Sequence, residues 1–284
     1  MGSPRIVSLR ALLSLVLALL AVPAFAGTKA PAWKIFAIRY ATVPKFPVHE
    51  LVAGADTSRT VDIAMMFWLL EGPDSRRVLV DAGFYRHKFL DDWKPADYRR
   101  PSDAASAAGV AADSVTDIII SHIHWDHLDG ADLFPNARIW IQRDEYSHYV
   151  GDAGEALDAA IDSVDAAMLS GLNKAGRVQL VNGDAQEILP GIIAYTGGKH
   201  TFASQYVGVR TAKGTVVVAS DNCYLYENLD KHRPIAQTLD AKSNLAAQDR
   251  MKKIASKTQW IVPGHDPAVF QRFPSAGPGV VAIP

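Results

Sequence analysis

Residues 63–70, Ile-Ala-Met-Met-Phe-Trp-Leu-Leu, form an unbroken apolar run. A strand with one face in water alternates apolar and polar residues, whereas a strand without alternation is covered on both faces. Such a strand demands packed layers on either side of its sheet. Further strands are predicted at 33–40, 76–83, 117–124, 137–142, 177–181 and 191–198, with a hairpin over 206–221 turning near Lys213-Gly214 and a last strand at 259–266. Helical patterns cover 102–110, 154–173 and 240–256. In the second, Leu157, Ile161, Val164, Met168 and Leu172 fall along one stripe. The third runs from Asp240 to Lys252, Lys253 and Lys257, charges that suit the helix dipole. Strands in both halves with helices between them predict an α/β chain of two face-to-face sheets covered by helices.

The composition, 49% hydrophobic and 21% charged, is that of an ordinary globular protein. The 284 residues contain no linker, charge block or internal repeat, so one domain is expected over 27–284. Residues 1–26 read as a signal peptide: Arg5 and Arg10 precede the uncharged run Ala11 to Ala21, and Ala24-Phe25-Ala26 forms a cleavage site. The expected location is periplasmic or secreted, with no stable membrane insertion after cleavage; a retained N-terminal anchor is the competing reading. Cys223 is the only cysteine, which leaves no internal disulfide; it reads as a small buried filler. A net charge of −1 gives no reason to expect nucleic-acid binding.

Residues 121–130, Ser-His-Ile-His-Trp-Asp-His-Leu-Asp-Gly, hold three of the nine histidines. Residues two apart on a strand point the same way, so His122 and His124 can face one ion. Asp126 and His127 follow, where the chain should turn at Asp129-Gly130. Three further candidates stand at predicted strand ends: His200, Asp221 and His265. Five imidazoles and two carboxylates suit zinc, with iron, cobalt or manganese also compatible. Asp81 and Asp266 read as loop caps or holders of ligand histidines, and His49, His87, His148 and His232 as core or surface residues.

"HIHWDH" resembles the HxHxDH signature of the metallo-β-lactamase-fold hydrolases, and "VLVDAG" at 78–83 resembles that family's LVDTG element. The resemblance covers roughly residues 33–274 and implies an αββα four-layer sandwich, two mixed sheets with outer helices. It assigns His122, His124 and His200 to one metal, Asp126, His127 and His265 to a second, and Asp221 as a bridge. The chain departs from the family's common GHTPGH at "GGKHTFAS", where Ser204 falls near the second histidine's place.

Two metals sharing a water make a hydroxide available at neutral pH for attack on a carbonyl or phosphorus, with Asp126 as proton carrier. Within the family, Tyr224, three residues after Asp221, and the run "SDNCYLYENL" resemble the N-acyl-homoserine lactonases. That resemblance implies a dinuclear zinc lactonase acting in quorum quenching, with Tyr224 steadying the lactone carbonyl and Trp125 and Phe202 lining the substrate site. Met65 and Phe67 read as core. The alternatives are a periplasmic organophosphate or aryl-ester hydrolase of the same fold, and a non-catalytic zinc-binding protein. The segment 41–60 reads as a lid or as an arm reaching a second subunit in a homodimer.

Overall fold

The computed structural model describes residues 1–2 and 32–284. Apart from Met1 and Gly2, the expected signal segment lies outside the described residues. The chain opens with a long antiparallel pair, β1 (Lys34–Pro47) and β2 (Thr60–Glu71), followed by β3 (Arg77–Val80). Two helices, α1 (His87–Trp93) and α2 (Pro101–Ala107), lead to β4 (Asp117–Ile119) and the short α3 (Trp125–Leu128). Next come β5 (Arg138–Gln142), α4 (Arg143–Tyr149), α5 (Ser163–Lys174) and β6 (Val178–Val181). The second half holds β7 (Gln186–Leu189), β8 (Ile192–Thr196), β9 (Gln205–Thr211), β10 (Gly214–Ser220), α6 (Tyr226–Asp230) and α7 (Ala241–Ile254). The chain closes with β11 (Ile261–Pro263), α8 (Val269–Arg272), β12 (Ser275–Gly277) and β13 (Val280–Ile283).

The strands form two mixed sheets, ordered β12-β13-β1-β2-β3-β4-β5-β6 and β11-β10-β9-β8-β7. The apolar run in β2 accounts for the layering. Ala64, Met66, Trp68 and Leu70 pack between the sheets with Val207, Val209, Val216 and Val218. Met65, Phe67 and Leu69 point the other way, into a core shared with Ala104, Ala105, Leu128 and Leu169 of the helices. On the far side of the second sheet, Ala247 and Met251 of α7 cover Tyr206, Val217 and Ala219. Asp240 starts α7 as expected, its Oδ1 accepting from the Ser243 N–H at 3.0 Å. The result is helix, sheet, sheet, helix.

Four expectations are corrected. The strand at 117–124 ends at Ile119, because Ser121 N–H turns away to donate to Asp81 Oδ1 at 2.8 Å. His122 and His124 therefore stand on a loop, and the turn comes at Trp125, where α3 begins, rather than at Asp129-Gly130. The helix at 154–173 begins only at Ser163, capped by Asp162, and its buried face is Asp165, Ala166, Leu169 and Ser170. Leu157 and Val164 are exposed; Asp165 is drawn inward by Arg86 at 2.7 Å. Residues 41–47 are not a loose loop but continue β1, and Thr42 and Ala96 exchange two backbone hydrogen bonds. Leu51 and Val52 beyond them are buried. Finally, 259–266 is not the last strand: β13 pairs with β1 and extends the first sheet. Among the described residues no helix is long and apolar enough to cross a membrane.

Candidate metal centre

The ends of strands from both sheets meet at one edge. Asp81 follows β3, the 121–124 loop and α3 follow β4, His200 follows β8, Asp221 follows β10 and His265 follows β11. Three non-glycine residues bordering this edge hold left-handed backbone: Asp81 (φ 62°), Lys199 (φ 57°) and Ser220 (φ 47°). Such conformations cost on the order of 1–3 kcal/mol each and persist where the surroundings impose them. Gly264 is required by close approach, since a Cβ there would lie 2.3 Å from Asp221 Oδ1.

All seven expected ligands converge. Three trios, His122/His124/His200, His122/His127/Asp221 and Asp126/His127/His265, each bring their donor atoms within 4.8 Å of one another. His124 Nδ1 lies 3.1 Å from His122 Nε2 and 2.9 Å from His200 Nε2. Asp221 stands between the two groups. Its Oδ2 is 3.8 Å from His122 Nε2, 3.6 Å from His200 Nε2 and 3.3 Å from His127 Nε2. Its Oδ1 is 3.1 Å from His265 Nε2. Asp126 Oδ2 lies 3.4 Å from His127 Nε2 and 3.6 Å from His265 Nε2.

The outer ring nitrogens explain why these lone pairs face inward. His127 Nδ1–H donates to Asp81 Oδ2 at 2.8 Å. His265 Nδ1–H donates to the Ala64 carbonyl at 3.1 Å and His200 Nδ1–H to the Gln237 carbonyl at 2.7 Å. Ser121 and Ser220 hydroxyls both donate to Asp81 Oδ2, and His122 Nδ1–H donates to Ser121 Oγ at 2.9 Å. A ring nitrogen that donates outward leaves the other as a bare acceptor, the arrangement of a metal-binding histidine. Asp81 thus orients His127, one of the candidate ligands. Asp266 caps the turn after His265, accepting from Tyr226 and Ala268 N–H.

Electrostatics follows the same division. Burial, then the neighbouring imidazoles, hold His122 well below its ordinary value. Burial and His200 bring His124 down to about 3, and burial lowers His200. These three are neutral acceptors at physiological pH. Burial would also depress His127 and His265, but Asp221 and Asp126 beside them outweigh it and raise both. Asp221 is held well below the carboxylate range, because His265 and His127 overcome its burial. The buried His127 Nε2 and Asp221 Oδ1 have no hydrogen-bond partner. Inward lone pairs, anionic carboxylates and orphaned polar atoms together fit divalent cations of the zinc type.

A cleft of about 270 Å³ opens onto this centre, with Phe46, Leu51, Trp93, Trp125 and Tyr224 among its walls. Trp125 packs in an aromatic stack, its ring 4.6 Å from Phe84, 4.8 Å from Phe89 and 5.0 Å from Trp93. Met65 is buried in the core as expected, yet one side of it also borders the cleft. Phe202 does not share this cleft. It stacks on His148 at 4.0 Å and lines a second, wider groove of about 610 Å³ on the His200 side. Tyr224 is buried, its hydroxyl 3.4 Å from His200 Nδ1. Because that nitrogen already donates to Gln237, the phenol proton is not committed there. Trp93 and Gln237 join the site without any signal in the sequence, whereas Phe46 and Leu51 belong to the segment 41–60 expected as a lid or a dimer arm. Gln237 acts through its backbone carbonyl, which any residue type carries.

The family described as Metallo-beta-lactamase superfamily matches residues 66–265. An N-acyl homoserine lactonase of Bacillus cereus is 34% identical over 152 residues, 52% of this chain and 55% of that protein. The N-acyl homoserine lactonase AiiA of Bacillus thuringiensis subsp. kurstaki is 31% identical over 161 residues, 56% and 58% of the two chains. The match therefore spans just over half the length of these curated relatives. An N-acyl homoserine lactone hydrolase solved with N-hexanoyl-L-homoserine at its catalytic metal centre superposes with a TM-score of 0.70 at 20% identity, covering 86% of this chain and 97% of that one. A hydrolase of the beta lactamase superfamily, AbOPH, gives 0.66 at 16% identity, covering 90% and 98%. These two structures share the fold. With the matched segment running from the apolar strand β2 to His265, the chain belongs to the metallo-beta-lactamase superfamily.

Proposed function

We propose that the protein is an exported dinuclear zinc hydrolase that opens the ring of N-acyl-homoserine lactones. The observation that carries the reading is Tyr224: a buried phenol with an uncommitted proton, between the seven-residue centre and an aromatic cleft. The 34% identity to a lactonase supports the same substrate class. His122, His124 and His200 would hold one ion, Asp126, His127 and His265 the other, and Asp221 both. Two cations there would supply Lewis acidity and an acidified water.

The chain's own groups do the rest. Burial, with Asp221 nearby, keeps the Tyr224 phenol well above its ordinary value, so it stays a neutral donor. It donates to the lactone carbonyl oxygen as that oxygen gains negative charge. Water oxygen adds to the carbonyl carbon, the ring C–O bond breaks, and a proton must reach the departing ring oxygen. Asp126, held anionic by His127 and His265 despite its burial, is placed to take a proton from the attacking water and pass it to that oxygen. Trp125 and Trp93 border the space for the acyl chain. The signal-peptide pattern at 1–26 supports export to the periplasm or beyond.

The test is the specificity constant on an acyl-homoserine lactone series, an aryl phosphotriester and a β-lactam under one metal condition. Preference for the lactones by at least an order of magnitude is expected. Preference for the phosphotriester would favour the aryl-ester or organophosphate reading, which the aromatic cleft also suits. No turnover of any of them in metal-loaded protein would leave a zinc-binding protein.

A further inference from the structure

Two separate segments carry the first trio of histidines. His122 and His124 stand on the loop after β4, and His200 on the loop after β8. Glu145 of α4 stands between them, fully buried. Its Oε1 accepts from the N–H of Ile123, the residue between His122 and His124, at 3.2 Å. The same oxygen accepts from the hydroxyl of Thr201, the residue after His200. Its Oε2 accepts from Ala203 N–H at 2.6 Å. One helical turn on, the Tyr149 hydroxyl accepts from Phe202 N–H at 3.1 Å. Burial pushes the Glu145 carboxyl up to about 7, against the pull of Thr201, Ala203 and Ile123. A carboxyl group is costly there, and its two acceptor oxygens reach donors on both ligand loops at once.

We infer that Glu145 is a positioning residue for the site of His122, His124 and His200, setting the separation of the two loops and hence the affinity of that site for its ion. The inference rests on reading the trio as a metal site. Glutamine at 145 has the same shape but cannot reproduce the contacts. With its NH₂ at the Oε1 position it meets Ile123 N–H, and at the Oε2 position it meets Ala203 N–H. One loop is pushed off whichever way the amide turns. Thr201→Val removes a single donor and should act in the same direction, more weakly.

The experiment measures zinc affinity by competition with a chromophoric chelator, the absorption spectrum of the cobalt-loaded protein, and the melting temperature of the metal-free protein. Glu145→Gln is expected to weaken one of two bound zinc ions by about 10–100-fold, to change the cobalt spectrum, and to leave the second ion and the metal-free melting temperature nearly unchanged. Wild-type affinity for both ions in Glu145→Gln and Thr201→Val overturns the inference. So does equal weakening of both ions with a matching loss of metal-free stability, the mark of a merely structural staple. If Glu145→Gln does not fold, Thr201→Val decides: weakening of one ion supports the inference and unchanged affinity overturns it. Wild-type protein that takes up no zinc overturns the metal reading and this inference with it, a result distinct from any variant's because it precedes them.

Discussion

Asp221 presents one carboxylate oxygen to the imidazoles of His122, His127 and His200 and the other to His265. Its replacement by alanine should therefore lower metal content and abolish hydrolysis together; a variant that keeps both would rule out the bridging role. In the proposed reaction Tyr224 would act later, on charge that develops at the carbonyl. An oxyanion donor is worth about 10²–10³ in rate where it acts alone. Sharing that charge with a cation, Tyr224→Phe should cost roughly tenfold, in kcat more than in KM. Steady-state kinetics on one lactone separates the two constants. The seven converging side chains were legible in the sequence because imidazoles and carboxylates at strand ends, beside glycines or small residues, have few other uses. Gln237 was not legible, since a backbone carbonyl leaves no signature. Glu145 was not legible either. A glutamate in an amphipathic stretch reads as solvent-facing until the fold puts it between two loops.

At the scale of elements, α1 and α3 meet through Phe89, Trp93 and Trp125, and Phe46 of β1 extends the stack at 6.1 Å from Trp93. A wall of this kind discriminates by apolar contact. Trp125→Ala should weaken lactones with long acyl chains more than short ones, by up to about 0.8 kcal/mol for each methylene that loses its contact. An acyl-length series of KM values checks this, and a uniform loss would place Trp125 outside the chain-binding wall. The start of α6 is tied to the segment before β2 by Glu227, which accepts from both ends of the Arg59 guanidinium, at 2.9 and 2.6 Å, and from Lys231 at 2.8 Å. Hydrogen bonding to Arg59 brings this carboxyl from 4.5 to about 2. A depressed carboxyl contributes stability above its unfolded value and loses it as pH falls through the folded one. Glu227→Gln should therefore lower the melting temperature slightly at pH 7 and flatten its decline between about pH 4.5 and 2. Most strands were legible from apolar patterning, and α7 from its Asp240 cap and terminal lysines. The extended reading of 121–124 failed because a tertiary contact, Ser121 to Asp81, ends β4. Of the stripe over 154–173, Ile161, Met168 and Leu172 pack against the core, whereas Leu157 and Val164 are exposed because the ion pair of Arg86 with Asp165 draws Asp165 inward. Neither partner is local in sequence.

The four layers follow from one strand. Alternate residues of β2 feed the core between the sheets and the core beneath the helices, and the sheet edges then carry residues from both halves of the chain to one place. Ions bound there would join segments more than a hundred residues apart in sequence. Chelation should accordingly lower the melting temperature, and added zinc should raise it with a concentration dependence. A reducing agent should leave it unchanged, since Cys223 is the single cysteine. The layered architecture was legible early because a doubly covered strand admits few arrangements; the return of β13 to pair with β1 was not, because four residues near the chain's end, Val280–Ile283, give too short a pattern to read.

In the proposed arrangement one edge of this sandwich holds two ions through seven side chains, with Asp221 between them. Metal content per chain, determined by elemental analysis after chelation and reconstitution with zinc, checks this arrangement. Two ions per wild-type chain, falling to one or fewer in Asp221→Ala, is the expected result. A wild-type chain that saturates at one ion or takes up none would contradict it.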